Sequence, residues 1–134
     1  MLNNPNIFYK KKILIYGLGK SGLSVLKFLK INNEIITHDD KNKIDNKKIT
    51  KTEFDCIIIS PGIDINTCNL SKFLKSNFKK IYTDLDIFYN HHKKNNMITI
   101  TGTNGKSTTA KILYNVLKDQ KTDVRLVGNI GNPV

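Results

Sequence analysis

The chain has 134 residues and a formal net charge of +11, a length that excludes a large multidomain enzyme but accommodates one domain, or one domain and part of a second. The charge does not predict a nucleic-acid partner, because 21 of the 22 basic residues are lysine and the bias toward lysine, asparagine and isoleucine is typical of AT-rich codon usage. Arginine, which suits bidentate contact with guanine, occurs only once.

The first segment, residues 1–12, lacks the apolar core of a signal peptide, and no stretch reaches the roughly 18 apolar residues of a membrane span. Cys56 and Cys68 have eleven residues between them and no metal-ligand spacing, so we interpret them as reduced thiols. These features predict a soluble, cytoplasmic protein with no membrane partner.

Residues 11–16 form a short apolar run that predicts a strand buried on both faces, as in parallel sheets. The turn Gly17-Leu-Gly-Lys-Ser-Gly22 follows, and residues 34–38 predict a second strand that ends at Asp39. Between turn and strand, apolar residues at helical spacing predict a helix with one inward face, made of Leu23, Val25, Leu26, Phe28 and Leu29. This order is the Rossmann fingerprint, in which the glycines allow a backbone to approach a phosphate closely. The alternative for Asp39 is a solvated turn residue.

The next part of the chain continues the α/β pattern. Residues 41–52 are rich in lysine and asparagine and predict an exposed loop with a short edge strand at most. Residues 55–60 predict a third buried strand that stops at Pro61-Gly62, where open α/β sheets bind ligands. A helix over 66–77, a short strand over 80–83 and a helix over 84–90 follow, the last with three residues inward: Leu85, Phe88 and Tyr89.

A very polar run, residues 91–96, predicts the junction between two domains, residues 1–92 and 93–134. His91 and His92 are adjacent and point in different directions, so solvated linker residues are favoured over a metal site.

Residues 97–120 combine a predicted strand (97–101), a glycine turn and a helix start, which is the order that a phosphate-binding loop requires. Gly102 and Gly105 let N–H groups approach an oxyanion, Lys106 adds a mobile charge, and Ser107 stands where a P-loop hydroxyl would bind Mg²⁺. The loop has two residues between its glycines where the common motif has four, so the alternatives are a variant P-loop and a chance turn before a helix. The helix is expected to bury one face, made of Ala110, Leu113, Val116 and Leu117.

A further strand is predicted over residues 124–127. A P-loop enzyme also needs a carboxylate that helps to hold Mg²⁺. The acids that follow Lys106 are Asp119 and Asp123, and both are expected on the side opposite the phosphate loop. Half of the nucleotide site is therefore expected to be missing.

Five motifs in this order resemble the Mur ligases, and within them the D-glutamate-adding branch. They are Gly17-Leu-Gly-Lys-Ser-Gly22, Ser60-Pro-Gly-Ile63, Asp84-Leu-Asp-Ile-Phe88, Ile100-Thr-Gly-Thr-Asn-Gly-Lys-Ser-Thr108 and Gly128-Asn-Ile-Gly131. The resemblance covers nearly the whole chain but only about the first third of a family member. It implies a Rossmann-like, parallel-sheet N-terminal domain that binds the UDP-substrate, residues 1–92, and the truncated start of a P-loop-type α/β central domain that binds ATP, residues 93–134.

The resemblance implies that the first domain holds a uridine diphosphate rather than NAD. The residues it assigns to this pocket are Lys20, Ser21, Asp39, Asp40, Lys41 and Gly62, with Asn129 contacting the substrate as well. The substrate would be UDP-N-acetylmuramoyl-L-alanine, a peptidoglycan precursor, and the second substrate D-glutamate.

The resemblance also implies an ATP- and Mg²⁺-dependent carbon–nitrogen ligase that is monomeric at full length. ATP would phosphorylate the substrate carboxylate, and the amine would attack the acyl phosphate. The residues assigned to the ATP phosphates are Gly102, Thr103, Asn104, Gly105, Lys106, Ser107 and Thr108. Lys106 would be catalytic and Ser107 a metal ligand, but further catalytic residues of the family have no counterpart here, so the chain alone is expected to be inactive.

Two other classes of protein remain open. An NAD(P)-binding oxidoreductase or a nucleotide-sensing domain would account for residues 17–39 but has no need of a second phosphate loop. A plain kinase or ATPase would account for residues 102–108 but not for the first unit.

Overall fold

The computed structural model describes residues 7–41 and 46–128. The chain divides into two compact units, Met1–Lys93 and Lys94–Val134. Within the described ranges the first unit contains, in chain order, β1 (Lys12–Tyr16), α1 (Lys20–Leu29), β2 (Glu34–His38), α2 (Asn46–Thr50), β3 (Cys56–Ile59), α3 (Ser71–Ser76), a 3₁₀ turn (Phe78–Lys80), β4 (Ile81–Tyr82) and α4 (Asp84–His91). The second unit contains α5 (Lys106–Asp119).

The four described strands form one parallel sheet in the order β2-β1-β3-β4. Tyr16, the last residue of β1, is in register with His38 of β2 and Ile59 of β3, so the three strands end together. The first connection moves from β1 to one side of it and the next returns to the other side, which creates a topological switch point at the carboxyl ends of β1 and β3. This architecture confirms the predicted α/β, parallel-sheet fold.

Two apolar cores lie on opposite faces of the sheet, as expected for strands whose alternate side chains point to opposite sides. Ile13 and Ile15 pack on one face with residues of α1 and α4, among them Val25, Leu29 and Ile87. Leu14 and Tyr16 pack on the other face with residues of α2 and α3, among them Ile49 and Leu74. Helices thus cover both faces of the sheet, and its carboxyl edge carries the loops.

Tertiary packing corrects the prediction for residues 41–52. An exposed loop with an edge strand is wrong for residues 46–50, which form α2, because Ile49 is 2% exposed and anchors this polar turn of helix in the core. The polar composition of this segment gave no indication that Ile49 is buried, and its burial determines the local structure.

The segment before α3 is also different from the prediction. The helix expected over residues 66–77 begins only at Ser71 because Asp64 organises a turn: its carboxylate accepts hydrogen bonds from the Asn66 N–H (2.8 Å) and the Thr67 hydroxyl (3.1 Å). Short polar side chains that bind nearby backbone groups compete with helix formation in this way.

The inward faces of two helices were predicted only in part. In α4 the buried residue is Ile87, whereas Leu85 and Tyr89 are each 60% exposed. In α1, Val25 and Leu29 are buried, but Leu23 and Phe28 are about half exposed. Helix α4 starts at Asp84 because the Asp86 carboxylate accepts hydrogen bonds from the N–H and hydroxyl of Thr83, and this start sets which side chains point inward.

The second unit has a helix but no described strand. Residues 97–101 and 124–127, both predicted as strands, are irregular and mostly exposed. Helix α5, described throughout, has no buried residue, so the expectation that Ala110, Leu113, Val116 and Leu117 form a buried face is wrong here; Val116 is 47% exposed. A strand needs a ladder partner, and neither segment pairs with another described residue.

No helix in the described part of the chain is both long enough and apolar enough to cross a membrane.

Candidate nucleotide-binding sites

The first glycine turn is held by contacts that leave no room for side chains. Gly17 has φ +93°, a value that favours glycine, and its N–H donates to the His38 carbonyl oxygen (2.8 Å). A Cβ at Gly22 would overlap the Gly17 carbonyl oxygen. Gly19, in contrast, has nothing within 4 Å of its Cβ position and faces open space. The first and third glycines therefore serve packing, while the second leaves a surface that a ligand can approach.

The turn after β3 is tied to this glycine turn. The Ser60 hydroxyl donates a 2.7 Å hydrogen bond to the Gly17 carbonyl oxygen, and the Ser60 N–H donates to the Tyr16 carbonyl oxygen (2.9 Å). These bonds join the carboxyl ends of β1 and β3 at the switch point. The approach is close, because a Cβ at Gly17 would lie only 2.9 Å from the Cβ of Ser60, so position 17 has no room for a side chain.

Asp39 holds the glycine turn against the end of β2. One carboxylate oxygen accepts from the Leu18 N–H (2.8 Å) and the other from the Lys41 N–H (3.0 Å). These bonds, that from Leu18 first, hold the pKa of Asp39 below its usual value because they favour the ionised form. Asp39 is therefore more than the solvated turn residue of the alternative interpretation, and its oxygens are already engaged with backbone.

Asp40 lies beside it in a different set of contacts. Its Oδ1 accepts a 2.6 Å hydrogen bond from the Tyr16 hydroxyl and lies 3.4 Å from Nε2 of His38. Its Oδ2 has a long contact, 3.5 Å, with the Asn69 N–H. Tyr16 and His38 were missed by the sequence analysis, which treated both as ordinary strand residues. The signal available was that each is the last residue of its strand and carries a polar group directly before a turn.

The remaining predicted residues of this pocket lie at the same edge of the sheet. Lys20 and Ser21 begin α1 directly after the glycine turn, Lys41 follows Asp40, and Gly62 follows β3. Because the three parallel strands end in register, the structure brings these four and the two aspartates to one edge. Asn129 falls outside the described residues.

The second glycine turn, in the other unit, precedes the longest helix of the described chain. Gly102 and Gly105 have φ +148° and +75°, and Gly105 is the N-cap of α5. The Lys106 ammonium donates to the carbonyl oxygens of Gly102 and Thr103, so the side chain folds back over the loop. No side chain of a described residue caps the helix, and no acidic residue lies in its first turn. Its positive end is therefore open to an anion.

The predicted ATP-binding residues are all on this loop and on the first turn of α5: Gly102, Thr103, Asn104, Gly105, Lys106, Ser107 and Thr108. All seven are exposed. Ser107 is suited to bind a metal through its hydroxyl, but Asp119 ends α5, about 20 Å farther along the helix axis. Asp123 pairs with Arg125 at 3.0 Å. Within the described part of the second unit, the loop thus combines backbone N–H groups and a lysine, which are suited to a phosphate, with one hydroxyl suited to a metal, and no acidic side chain lies beside them.

Comparison with known proteins finds relatives that share one name. No protein-family model matches the chain. The chain is 35% identical over 142 aligned positions to the UDP-N-acetylmuramoylalanine–D-glutamate ligase of Rickettsia bellii, an alignment that covers 96% of this chain and 31% of that protein. The proteins of the same name from Francisella philomiragia (39% identity, 91% of this chain and 30% of the relative) and Clostridioides difficile (34%, 92% and 32%) are similar in the same way. The chain thus spans about a third of the length of the curated relatives it matches.

Proposed function

Because the chain belongs to the Mur ligase family, in the branch of the UDP-N-acetylmuramoylalanine–D-glutamate ligases, we propose that it carries a uridine-nucleotide site and an ATP phosphate loop of such a ligase. The first site is the carboxyl edge of β1, β2 and β3, and its ligand is UDP-N-acetylmuramoyl-L-alanine. The second is the loop of residues 102–108. The domains are those predicted, residues 1–92 for the UDP-substrate and residues 93–134 for ATP.

The observation that carries the first part is the convergence of three turns at the switch point. The N-terminus of α1 and the open face of Gly19 offer N–H groups and space for a diphosphate. Lys20 and Ser21 add a cation and a hydroxyl at the same place, and Asp40 adds an acceptor for a base or ribose. Open α/β sheets bind their ligands at such a crevice.

The hydrogen bonds that Asp39 accepts from backbone N–H groups favour a uridine-nucleotide site over a dinucleotide site. In a dinucleotide-binding unit the acidic residue after the second strand accepts hydrogen bonds from the ribose hydroxyls. Here both Asp39 oxygens accept backbone N–H groups, which leaves them less available to ribose. The NAD(P)-dependent oxidoreductase is therefore the weaker of the two candidates.

For the second part, the residues of the loop support phosphate binding. Lys106 would leave the carbonyl oxygens of Gly102 and Thr103 to stabilise the transferring phosphoryl group, and Ser107 would hold Mg²⁺, which neutralises phosphate charge when bound. The ligase reaction itself would activate the substrate carboxylate as an acyl phosphate, which the amine of D-glutamate attacks. Since the described part of the second unit places no carboxylate near Ser107, we propose that these 134 residues do not complete the reaction alone. We also propose a cytoplasmic location and a monomeric full-length ligase.

Parallel calorimetric titrations of the chain with UDP-N-acetylmuramoyl-L-alanine, NAD and ATP test the first site. We expect the uridine ligand to bind most tightly. Tighter binding of NAD would move the first unit to the oxidoreductase class, and formation of ADP that requires both the uridine substrate and D-glutamate would overturn the proposed inactivity of the chain alone.

A lysine pair on α5 tests the second site. We expect ATP to bind in the millimolar range, about −4 kcal/mol, and Lys106→Ala to abolish this binding, because the loop keeps its N–H groups but loses its mobile charge. Lys111→Ala removes the same charge one turn away, where the ammonium lies over the Tyr114 ring, and should leave ATP affinity within about twofold. Equal losses in both variants would mean that net charge rather than the loop attracts ATP.

A further inference from the structure

A polar cluster lies under the carboxyl edge of the sheet, and of its residues only Asp40 has a role in the site as proposed above. It consists of Tyr16, His38 and Asp40. Tyr16 and His38 are directly opposite each other in the register of β1 and β2, and their rings are 4.9 Å apart. Both are essentially excluded from solvent, whereas the Asp40 side chain is one-third exposed. The cluster thus runs from the core to the surface, and Asp40 is its outer end.

The proton of the phenol is fixed by its surroundings. Burial raises the pKa of Tyr16, and the hydrogen bond to Asp40 raises it further, so the phenol stays protonated at any physiological pH. The Tyr16 hydroxyl is therefore the donor and Asp40 Oδ1 the acceptor of the 2.6 Å bond. A short bond to a carboxylate is among the stronger kinds of hydrogen bond in proteins.

His38 packs beside the Tyr16 ring in the core. It is 1% exposed, and neither ring nitrogen makes a hydrogen bond within the described ranges, although Nε2 lies 3.4 Å from Asp40 Oδ1. Placing a polar ring in the core without a good partner carries a cost in free energy. The ring packs against the Tyr16 phenol and restricts its rotation, and it adds a polar group on the same side of the Asp40 carboxylate.

We propose that Tyr16, supported by His38, is a positioning residue that holds the Asp40 carboxylate in place for a uridine nucleotide. The inference rests on the proposed uridine site. Oδ1 is held by the phenol, which restrains the carboxylate, while Oδ2 keeps free acceptor capacity because its contact with the Asn69 N–H is long. A preset acceptor at this edge spares the ligand the ordering of a surface side chain.

A double-mutant cycle on UDP affinity, measured by calorimetry with the 134-residue chain, tests this role. Asp40→Ala removes the carboxylate that Tyr16 holds, and Tyr16→Phe removes only the hydroxyl. We expect each to weaken UDP binding about five- to tenfold. In the Asp40→Ala background, Tyr16→Phe should change the affinity less than about twofold, because a residue that acts through Asp40 has nothing left to position.

The control is Tyr82→Phe, which removes a hydroxyl from a half-buried tyrosine of β4 that packs against Phe8. It should leave UDP affinity unchanged. A merely structural role for Tyr16 would weaken UDP binding by the same factor in both backgrounds, and that result would overturn the inference while leaving the uridine site intact. Unaltered affinity in Tyr16→Phe would do the same. If the unmodified chain fails to bind UDP, the proposed function fails first, and the inference fails with it.

Discussion

The two units of this chain begin with the same sequence signal and differ in what becomes of it. In each, an apolar run leads into a glycine turn and then a helix. In the first unit the run becomes β1, which is hydrogen-bonded on both sides and whose Ile13, Leu14 and Ile15 are fully buried. In the second unit residues 97–101 pair with no other described residue, and the described helix α5 buries none of its residues. The local pattern specifies where a strand can form, and its neighbours decide whether it does.

The two glycine turns differ for the same reason. The first turn is held by other parts of the sheet: Ser60 binds the Gly17 carbonyl oxygen, and Asp39 binds the Leu18 N–H. The second turn is held by its own lysine, which folds back onto the carbonyl oxygens of Gly102 and Thr103. We therefore expect the first turn to be shaped before a ligand arrives and the second to rearrange when Lys106 meets a phosphate.

Hydrogen exchange of backbone amides should give the largest difference between the units. Amides of β1 and β3 lie in the interior of the sheet and should exchange only when the first unit unfolds, whereas those of residues 97–101 and 124–127 have no described ladder partner. We expect exchange in the two irregular segments to be faster by about a thousandfold or more, measured by NMR or mass spectrometry. Comparable protection in both units would mean that residues 97–101 are paired in solution, and the two units would then not differ in this way.

Alanine at the glycines should separate the turns next. At Gly22 a Cβ would overlap the Gly17 carbonyl oxygen, so Gly22→Ala should lower the free energy of unfolding of the first unit by about 3 kcal/mol, although alanine itself favours a helix by about 1 kcal/mol. At Gly105 a Cβ meets nothing within 4 Å, and Gly105→Ala should cost only the strain of its left-handed conformation, about 1 kcal/mol.

The matched control is Gly19→Ala in the same first turn, where φ is −70° and the Cβ position is open. Urea unfolding followed by near-ultraviolet circular dichroism of the tyrosines measures the two variants of the first turn, and far-ultraviolet dichroism of the helix measures Gly105→Ala. If Gly19→Ala lowered the free energy of unfolding as much as Gly22→Ala, the turn would tolerate no side chain at either position. The overlap with the Gly17 carbonyl oxygen would then not be the cause of the loss at Gly22.

The fold of the first unit could be predicted because its signals are short-range and repeated. Each of β1, β2 and β3 contains at least three consecutive apolar or β-branched residues next to a turn, so the predicted positions of the strands were correct to within a residue or two. Helix α2 could not be predicted, because it depends on one buried side chain, Ile49, in a run of polar residues. The prediction of strands in the second unit was wrong for the opposite reason. The β-branched and apolar residues typical of a strand are present, but no described residue pairs with them.

The candidate site was predictable as a set of turns but not as a set of contacts. The glycines and Asp39 were recognised because their spacing is a known signature. The role of Ser60 in joining two turns depends on the register of β1 and β3, and that of Tyr16 depends on which strand residue faces Asp40. Neither distance is encoded in local sequence, since the residues of each pair are 43 and 24 positions apart.

The smallest expected effect concerns Asp39 and pH. The folded-state pKa of Asp39 lies below its unfolded value, so the ionised carboxylate stabilises the fold above the unfolded pKa, about 4, and this contribution is lost as the pH falls through the folded pKa. Asp39→Asn keeps one acceptor oxygen but no charge. We expect it to lower the free energy of unfolding by about 1 kcal/mol at pH 7, after allowance for solvent screening, and by progressively less below about pH 4.

Urea unfolding at intervals from about pH 7 to about pH 3 measures this difference, with Asp119→Asn as the control. Asp119 ends α5 in the second unit, so its neutralisation should leave the unfolding of the first unit unchanged at every pH. If the parent chain and the Asp39→Asn variant differ by the same amount at every pH in this range, the charge of Asp39 is irrelevant and the loss reflects only the change of hydrogen-bonding group. The first glycine turn would then be held by hydrogen bonds that do not depend on a charge. The difference between the two turns would become larger, since only the second would be held by a charged side chain, that of Lys106.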